Sequence, residues 1–384
     1  MTDLAASRPS TEQLIGRSDV DDLAEILAVA NNDVDSVMHI VKNNADAIFT
    51  WDYQPDDRPG LMRLYEKAKK NQWNATTDVD WSIEVDPEQV AVETSIANAG
   101  IFSGETDLSA TPLAKFSEAD WLRFGVESQN WTLSQFLHGE QGALICTAKI
   151  VETVPWIDAK YYGSTQVFDE ARHVEVFGTY LDEKLDGHYP VNAHLSLLLD
   201  EIVNDSRWDM TYLGMQIMVE GLALAAFGFI RQLTTEPLLK QILKLVMSDE
   251  ARHVAFGILS LKDYYTELNQ AEIRERQEFA FEAAVRMRDR FLQQEVWERM
   301  GVPVADTLEL VMNSPERAAF QQMLFTKIVP NCSKLGLLDA GDGWLRTKFG
   351  ELGVLQFEHW ADTESEYDDF ALDASDLAGV PSTT

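Results

Sequence analysis

The pentapeptide Asp-Glu-Ala-Arg-His occurs twice, at residues 169–173 and 249–253, and no other feature of the chain constrains its fold as tightly. In each copy the glutamate and the histidine are three positions apart: Glu170 with His173, and Glu250 with His253. Positions i and i+3 share one face of an α-helix, so both side chains point into the same space. A carboxylate and an imidazole at that spacing can ligate a metal ion from one helix. Two such helices offer four ligands.

A site for two metal ions also calls for bridging carboxylates from other helices. Thirty residues before Glu170 stands Glu140, in FLHGEQGALIC, and thirty before Glu250 stands Glu220, in MQIMVEGLALAAF. The midpoint of the first pair is Pro155 and that of the second is Thr235, inside the turn-like TTEP. In an antiparallel helix hairpin, residues equidistant from the turn lie at the same depth, here 15 residues or roughly 22 Å. The two hairpins therefore bring four glutamates and two histidines to one layer. A lone Glu-x-x-His is usually a solvated helix face, and a lone Glu in an apolar stretch is often a paired core carboxylate. The two units, the two additional glutamates, the equal spacings and the turns at both midpoints are not explained by either.

Four buried carboxylates without compensation would cost many kcal/mol, and two divalent cations neutralise them. The donor set is rich in oxygen, with two imidazoles and no thiolate, which suits iron or manganese better than structural zinc. Ferritin-like carboxylate bundles use this arrangement, a Glu from each of two helices and a Glu-x-x-His from each of the other two. Asp169 and Asp249 sit four residues before each His and can accept a hydrogen bond from the imidazole of the facing helix, fixing its tautomer. Arg172 and Arg252 point more outward and can hold those aspartates.

The rest of the chain reads as helical almost throughout, so the expected fold is all-α, a ferritin-like four-helix bundle with flanking helices. Residues 1–20 are expected as a flexible N-terminus, and 21–116 as N-terminal helices followed by an extended crossing in NATTDVDWSIEVDPEQV. The bundle is placed at 117–268, with helices over about 117–154, 158–185, 193–232 (interrupted near Asn204) and from TTEP to about Leu268. C-terminal helices at 270–299 and 314–335 fall within a segment, 269–360, that packs on the bundle. Residues 361–384 carry seven acids and no Lys or Arg and are expected as a mobile acidic tail.

The net charge of −33 argues against a nucleic-acid partner, whose phosphates require clustered Lys and Arg. No stretch approaches the roughly 18 consecutive apolar residues of a membrane helix, so membrane insertion is not expected. The polar N-terminus lacks a signal-peptide core, and two cysteines make no disulfide framework, so a cytoplasmic location is expected.

On these residues the chain resembles the ferritin-like di-iron carboxylate superfamily over roughly residues 117–268. The paired Asp-Glu-x-Arg-His units look most like its oxygen-activating branch, notably the hydroxylase subunits of bacterial multicomponent monooxygenases. The segment 63–82 is similar to the one preceding the bundle in ribonucleotide-reductase-like ligand-binding oxidases. The resemblance implies iron bound by Glu140, Glu170, His173, Glu220, Glu250 and His253. Two departures stand out. Phe177 occupies the position where radical-generating reductase subunits carry a Tyr, and Leu224 the position where the monooxygenases carry a Thr.

The function expected is an O2-activating non-haem di-iron oxygenase or oxidase, with two iron ions (or a manganese–iron pair) and O2 as co-substrate. It would oxidise a small organic substrate in an apolar cavity, for which Ala143, Leu144, Phe177, Leu224 and Phe256 are the candidate lining. Glycines beside the ligands, Gly139, Gly142 and Gly221, suggest close helix approach or an access path. The chain has no flavin-binding glycine loop and no ferredoxin cysteine set, so an external electron donor such as a reductase or ferredoxin is expected. A homodimer is expected. The alternative function is a ferroxidase or iron-handling protein using the same ligands.

Overall fold

The structure is a computed structural model that describes residues 22–29, 54, 58–101, 108–109, 111–185 and 187–372. The expected flexible stretch 1–20, much of the expected N-terminal helical region and the end of the acidic tail lie outside these residues. Among the described residues every regular element is helical and no strand occurs.

In chain order the helices are α1 Leu23–Leu27, α2 Pro59–Lys70, α3 Pro87–Ile101, α4 Glu118–Thr153, α5 Ile157–Glu183, α6 Ala193–Asn204, α7 Trp208–Leu233 and α8 Pro237–Tyr265. They are followed by α9 Gln270–Asp289, α10 Gln294–Arg299, α11 Val304–Met312, α12 Pro315–Lys334, α13 Trp344–Glu351 and α14 Thr363–Glu366. The bundle is α4, α5, α7 and α8. Helices α4 and α5 pack as one hairpin and α7 and α8 as the other, with α5 meeting α8.

Local chemistry sets the hairpin ends. The Ser117 side chain accepts from Asp120 N while the Asp120 carboxylate accepts from Ser117 N, a capping box that starts α4. Pro155 follows the last turn of α4, and α5 begins two residues later. Glu236 caps α8 by accepting from the Leu238 and Leu239 amides, with Pro237 in the first turn where its missing N–H costs nothing. The same carboxylate accepts from the Tyr180 hydroxyl at 2.9 Å and so ties α5 to the second hairpin. Gly142 explains how closely α6 lies on α4: a Cβ there would stand 2.6 Å from Leu199 Cδ2.

Helix α7 is long and apolar enough to cross a membrane by length and composition, but it is largely buried inside the bundle, where it carries Glu220. Its residues Leu213–Val219 form a π-helix. Glu220 opens the regular α-helical turns that lead to the TTEP turn, so the depth count from that turn holds.

Three regions differ from the sequence reading. The supposed extended crossing ends early, because Asp86-Pro87 is an N-cap followed by a first-turn proline. Asp86 Oδ1 accepts from Glu88 N and Gln89 N, and α3 begins there. The single helix expected over 270–299 is broken by a 3-10 turn, Arg290–Leu292, and by Gln293 in a left-handed conformation at φ 53°. The first part of the acidic tail is docked on the bundle. Thr363 is buried, its amide donates to Asn331 Oδ1 at 3.0 Å, and Asn331 Nδ2 donates back to its hydroxyl. Lys67 of α2 reaches Asp368, and Lys327 of α12 reaches Glu366, so lysines of the flanking helices hold the acidic segment.

Candidate metal centre

The six ligand candidates meet in the buried centre of the bundle: Glu140 from α4, Glu170 and His173 from α5, Glu220 from α7, Glu250 and His253 from α8. Ligand atoms of Glu140, Glu170, His173 and Glu250 form one group within 4.8 Å of one another, and those of Glu170, Glu220 and His253 form another. Glu170 belongs to both groups. His173 Nδ1 lies 3.4 Å from Glu170 and 3.0 Å from Glu250, and His253 Nδ1 lies 3.1 Å from Glu170 and 3.5 Å from Glu250. The carboxylates of the two repeats therefore sit between the two imidazoles. The sequence reading put the bridging carboxylates on the other helices; here Glu140 groups with His173 and Glu220 with His253, and the carboxylates between the two rings are those of the repeats. This placement of Glu170 and Glu250 follows from the packing of α5 on α8, which sets the two Glu-x-x-His faces against each other.

Each imidazole turns its other nitrogen to an aspartate of the opposite repeat: His173 Nε2 lies 3.3 Å from Asp249 Oδ2, and His253 Nε2 lies 3.3 Å from Asp169 Oδ2. The arginines are buried, not outward. Arg172 Nη2 donates to Asp169 and, at 2.9 Å, to Asp249, and Arg252 donates to Asp249. Two aspartates and two arginines thus cancel in charge, leaving four glutamates around the two rings.

Three further residues hold this layer. Trp73 Nε1 donates to Asp249 Oδ2 at 2.7 Å, Gln72 Oε1 accepts from Arg172, and the Trp73 carbonyl accepts from Arg172 at 3.1 Å. Both residues belong to the segment after α2, and only its similarity to a known pre-bundle segment marked it in the sequence. Gln166 Nε2 donates to Glu170 Oε1 at 2.9 Å and to Glu220 Oε1 at 3.0 Å. It stands four residues before Glu170 and so on the same helix face, a spacing that was available in the sequence.

The donor set fits metal ions. Glu170 Oε2, Glu220 Oε2, both oxygens of Glu250 and His253 Nδ1 are buried and have no hydrogen-bond partner, although buried polar atoms almost always do. Burial, and then the Glu250 charge, raises the Glu140 pKa from 4.5 to about 8. Burial and the neighbouring Glu170 and Glu250 raise that of Glu220 well above its usual value. Burial opposes protonation of both imidazoles, but Glu140 beside His173 and Glu170 beside His253 outweigh it and raise both. The cluster holds protons where a cation would take their place. The residues are thus a buried carboxylate and imidazole cluster suited to two metal ions.

A cavity of about 20 Å³, room for roughly one water, borders Glu140, Glu220 and Glu250. Of the five expected lining residues only Ala143 reaches it. Phe177 lies behind, its ring 5.9 Å from that of Phe136 and 5.8 Å from that of Phe227. Phe256 packs on Tyr162 and Tyr212, Leu224 is buried in the core, and Leu144 does not line the cavity. The reason is helical phase. The lining comes from Phe136, Gly139 and Ala143 around Glu140, and Val219, Ala223 and Phe227 around Glu220. These are positions i−4, i−1, i+3 and i+7, to one side of each ligand, whereas Leu144 and Leu224 at i+4 fall on the other. A Cβ on Gly139 would meet open space, so this glycine borders the void, whereas Gly142 serves helix approach. A Cβ on Gly221 would meet only Asn331 Nδ2, at 3.7 Å.

No family model matches the chain, and no curated protein matches it. Among solved structures it is similar to variants of an R2-like ligand-binding oxidase with anaerobically reconstituted Mn/Fe cofactor. One is 18% identical with a TM-score of 0.44, covering 71% of this chain and 95% of that one. Another is 18% identical with a TM-score of 0.43, covering 74% and 95%.

Proposed function

We propose that the protein is an O2-dependent di-metal oxygenase or oxidase that acts on an organic substrate beside the carboxylate layer. One observation carries the reading: four glutamates and two histidines converge in the buried bundle core, where Glu170 Oε2, Glu220 Oε2, both Glu250 oxygens and His253 Nδ1 have no hydrogen-bond partner. Glu140, Glu170, His173, Glu220, Glu250 and His253 would hold two iron ions, or a manganese–iron pair, with Glu140 and His173 on one side, Glu220 and His253 on the other, and Glu170 and Glu250 between the two imidazoles. When bound, such a pair supplies redox chemistry with O2 that no side chain here can perform.

The chain's own residues do the rest. Asp249 and Asp169 hold His173 and His253 with Nδ1 facing the cluster. Gln166 donates to Glu170 and Glu220 and orients both. Phe136 and Phe227 wall the cavity, with Phe177 packed behind them, and these rings would exclude water. An external electron donor and a homodimeric assembly belong to the proposal. A ferroxidase is the competing reading, favoured by a cavity that as built admits only a water-sized molecule.

The test is anaerobic ferrous loading followed by O2 and a panel of organic substrates. Oxidised organic product in proportion to O2 consumed supports the proposal. O2 consumption that yields only ferric mineral, whatever organic molecule is supplied, would establish the ferroxidase.

A further inference from the structure

Arg290 is a buried cation that no carboxylate among the described residues neutralises. It opens the 3-10 turn between α9 and α10 and is 2% exposed. Among the described residues its side chain makes no hydrogen bond or ion pair. Nε lacks a partner, and the charged head only faces the Phe291 ring at 4.6 Å. Other buried arginines each sit on a carboxylate: Arg172 on Asp249, Arg252 on Asp249, Arg276 on Asp209 and Arg286 on Glu282. Burial alone lowers the Arg290 pKa, to about 9, which leaves it charged at neutral pH.

Its place in the molecule gives this charge a use. Arg290 lines the cavity that borders Glu140, Glu220 and Glu250, and the wall between them is mostly apolar: Phe136, Ala223 and Phe227 among others. Three residues on, Gln293 takes a left-handed backbone conformation that is costly for a residue with a Cβ, and Ser128 donates to its side chain at 2.8 Å. The chain thus holds two unfavourable arrangements within four residues, and the first of them, Arg290, lines the cavity.

We propose that Arg290 anchors the carboxylate of an organic acid whose apolar part lies along Phe136, Ala223 and Phe227 toward the glutamate layer. A planar guanidinium matches the two oxygens of a carboxylate in a fork, whereas a phosphate would need further donors that this wall lacks. The acid end is thereby kept away from the four glutamates, and the apolar end is presented to them. Entry requires the Phe136 and Phe227 rings to move, since the cavity as built holds about one water. The inference deepens the oxidase reading and rests on it for its meaning as a substrate site, but the anchor itself is testable without metal.

The probes are hexanoate and its uncharged counterpart hexanamide. Binding is measured by calorimetry on the ferrous-loaded chain without O2 and on the metal-free chain, for wild type, Arg290→Met and Arg290→Lys. The wild type is expected to bind hexanoate at least about 10-fold more tightly than hexanamide. Arg290→Met is expected to bind both alike, and Arg290→Lys to keep part of the preference. Removing a lone buried charge is also expected to raise the melting temperature of ligand-free Arg290→Met while abolishing the upward shift that hexanoate causes. Equal affinities in the wild type, absence of hexanoate binding, or an undiminished preference in Arg290→Met would overturn the proposal. So would lowered stability and weakened ferrous binding in Arg290→Met with an unchanged acid-to-amide ratio, because Arg290 would then only balance the glutamates. A chain that takes no metal yet binds hexanoate through Arg290 refutes the oxidase reading alone. A metal-loaded chain indifferent to hexanoate refutes the anchor alone.

Discussion

His253 Nε2 lies 3.3 Å from Oδ2 of Asp169, a residue of the other Asp-Glu-Ala-Arg-His copy, and His173 stands in the same relation to Asp249. The repeats are thus interlocked: each holds the imidazole that the other aims at the cluster. Asp169→Asn and Asp249→Asn preserve shape but remove the charge that favours the required tautomer. Each is expected to weaken metal binding by about 10–100-fold, measured by chelator competition. Each also leaves a buried arginine undercompensated and should destabilise the fold by about 3–5 kcal/mol. Loss in one variant and none in the other would break the proposed equivalence.

The metal-free protein should lose stability as pH rises. The Glu140 pKa is raised from 4.5 to about 8 by burial and then Glu250, Glu220 is raised well above its usual value, and both imidazoles are raised despite burial. Between pH 4.5 and about 8 the folded chain therefore binds more protons than the unfolded one, so unfolding free energy falls as pH increases. Glu170 and Asp249 are shifted downward, since their cationic neighbours outweigh burial, and they act only below this window. Calorimetry of the metal-free chain should show a melting temperature lower at pH 8 than at pH 5.5 by at least about 3 °C. Metal loading should remove the slope and release protons into weak buffer.

Two neighbouring glycines should respond oppositely to alanine. A Cβ on Gly142 meets Leu199 at 2.6 Å, so Gly142→Ala should cost about 1–3 kcal/mol. A Cβ on Gly139 meets open space, so Gly139→Ala should be neutral or stabilise by up to about 1 kcal/mol. Denaturant unfolding of the two variants distinguishes these outcomes.

Asn331 holds the docked end of the acidic segment through two hydrogen bonds to Thr363. Asn331→Ala should cost about 1–3 kcal/mol. Limited proteolysis should then cleave near residues 363–370 faster than in the wild type, and an unchanged cleavage pattern would show that the lysine pairs alone hold the segment.

These residues also show where sequence reasoning reaches. Glu140 and Glu220 were legible because regular helical rise converts equal spacing from a turn into equal depth. Leu144 and Leu224 do not border the cavity because i+3 and i+4 fall on opposite sides of a ligand. Gln72 and Trp73 reach partners 100 and 176 positions away from a segment without periodicity, so nothing local revealed their contacts. The left-handed Gln293 and the π-helix before Glu220 are imposed by packing that neither residue type announces. The acidic segment read as a tail because its charge was seen without Lys67 and Lys327, which receive it.

The most direct test of the central claim is an anaerobic ferrous titration of the wild type, Glu140→Ala, Glu220→Ala, Glu170→Ala and Glu250→Ala, read as ions tightly bound per chain. The placement of Glu170 and Glu250 between both imidazoles predicts two ions in the wild type, loss of both in Glu170→Ala and in Glu250→Ala, and retention of one in Glu140→Ala and in Glu220→Ala. Full metal content in Glu170→Ala and Glu250→Ala, or no tight binding in the wild type, would contradict it.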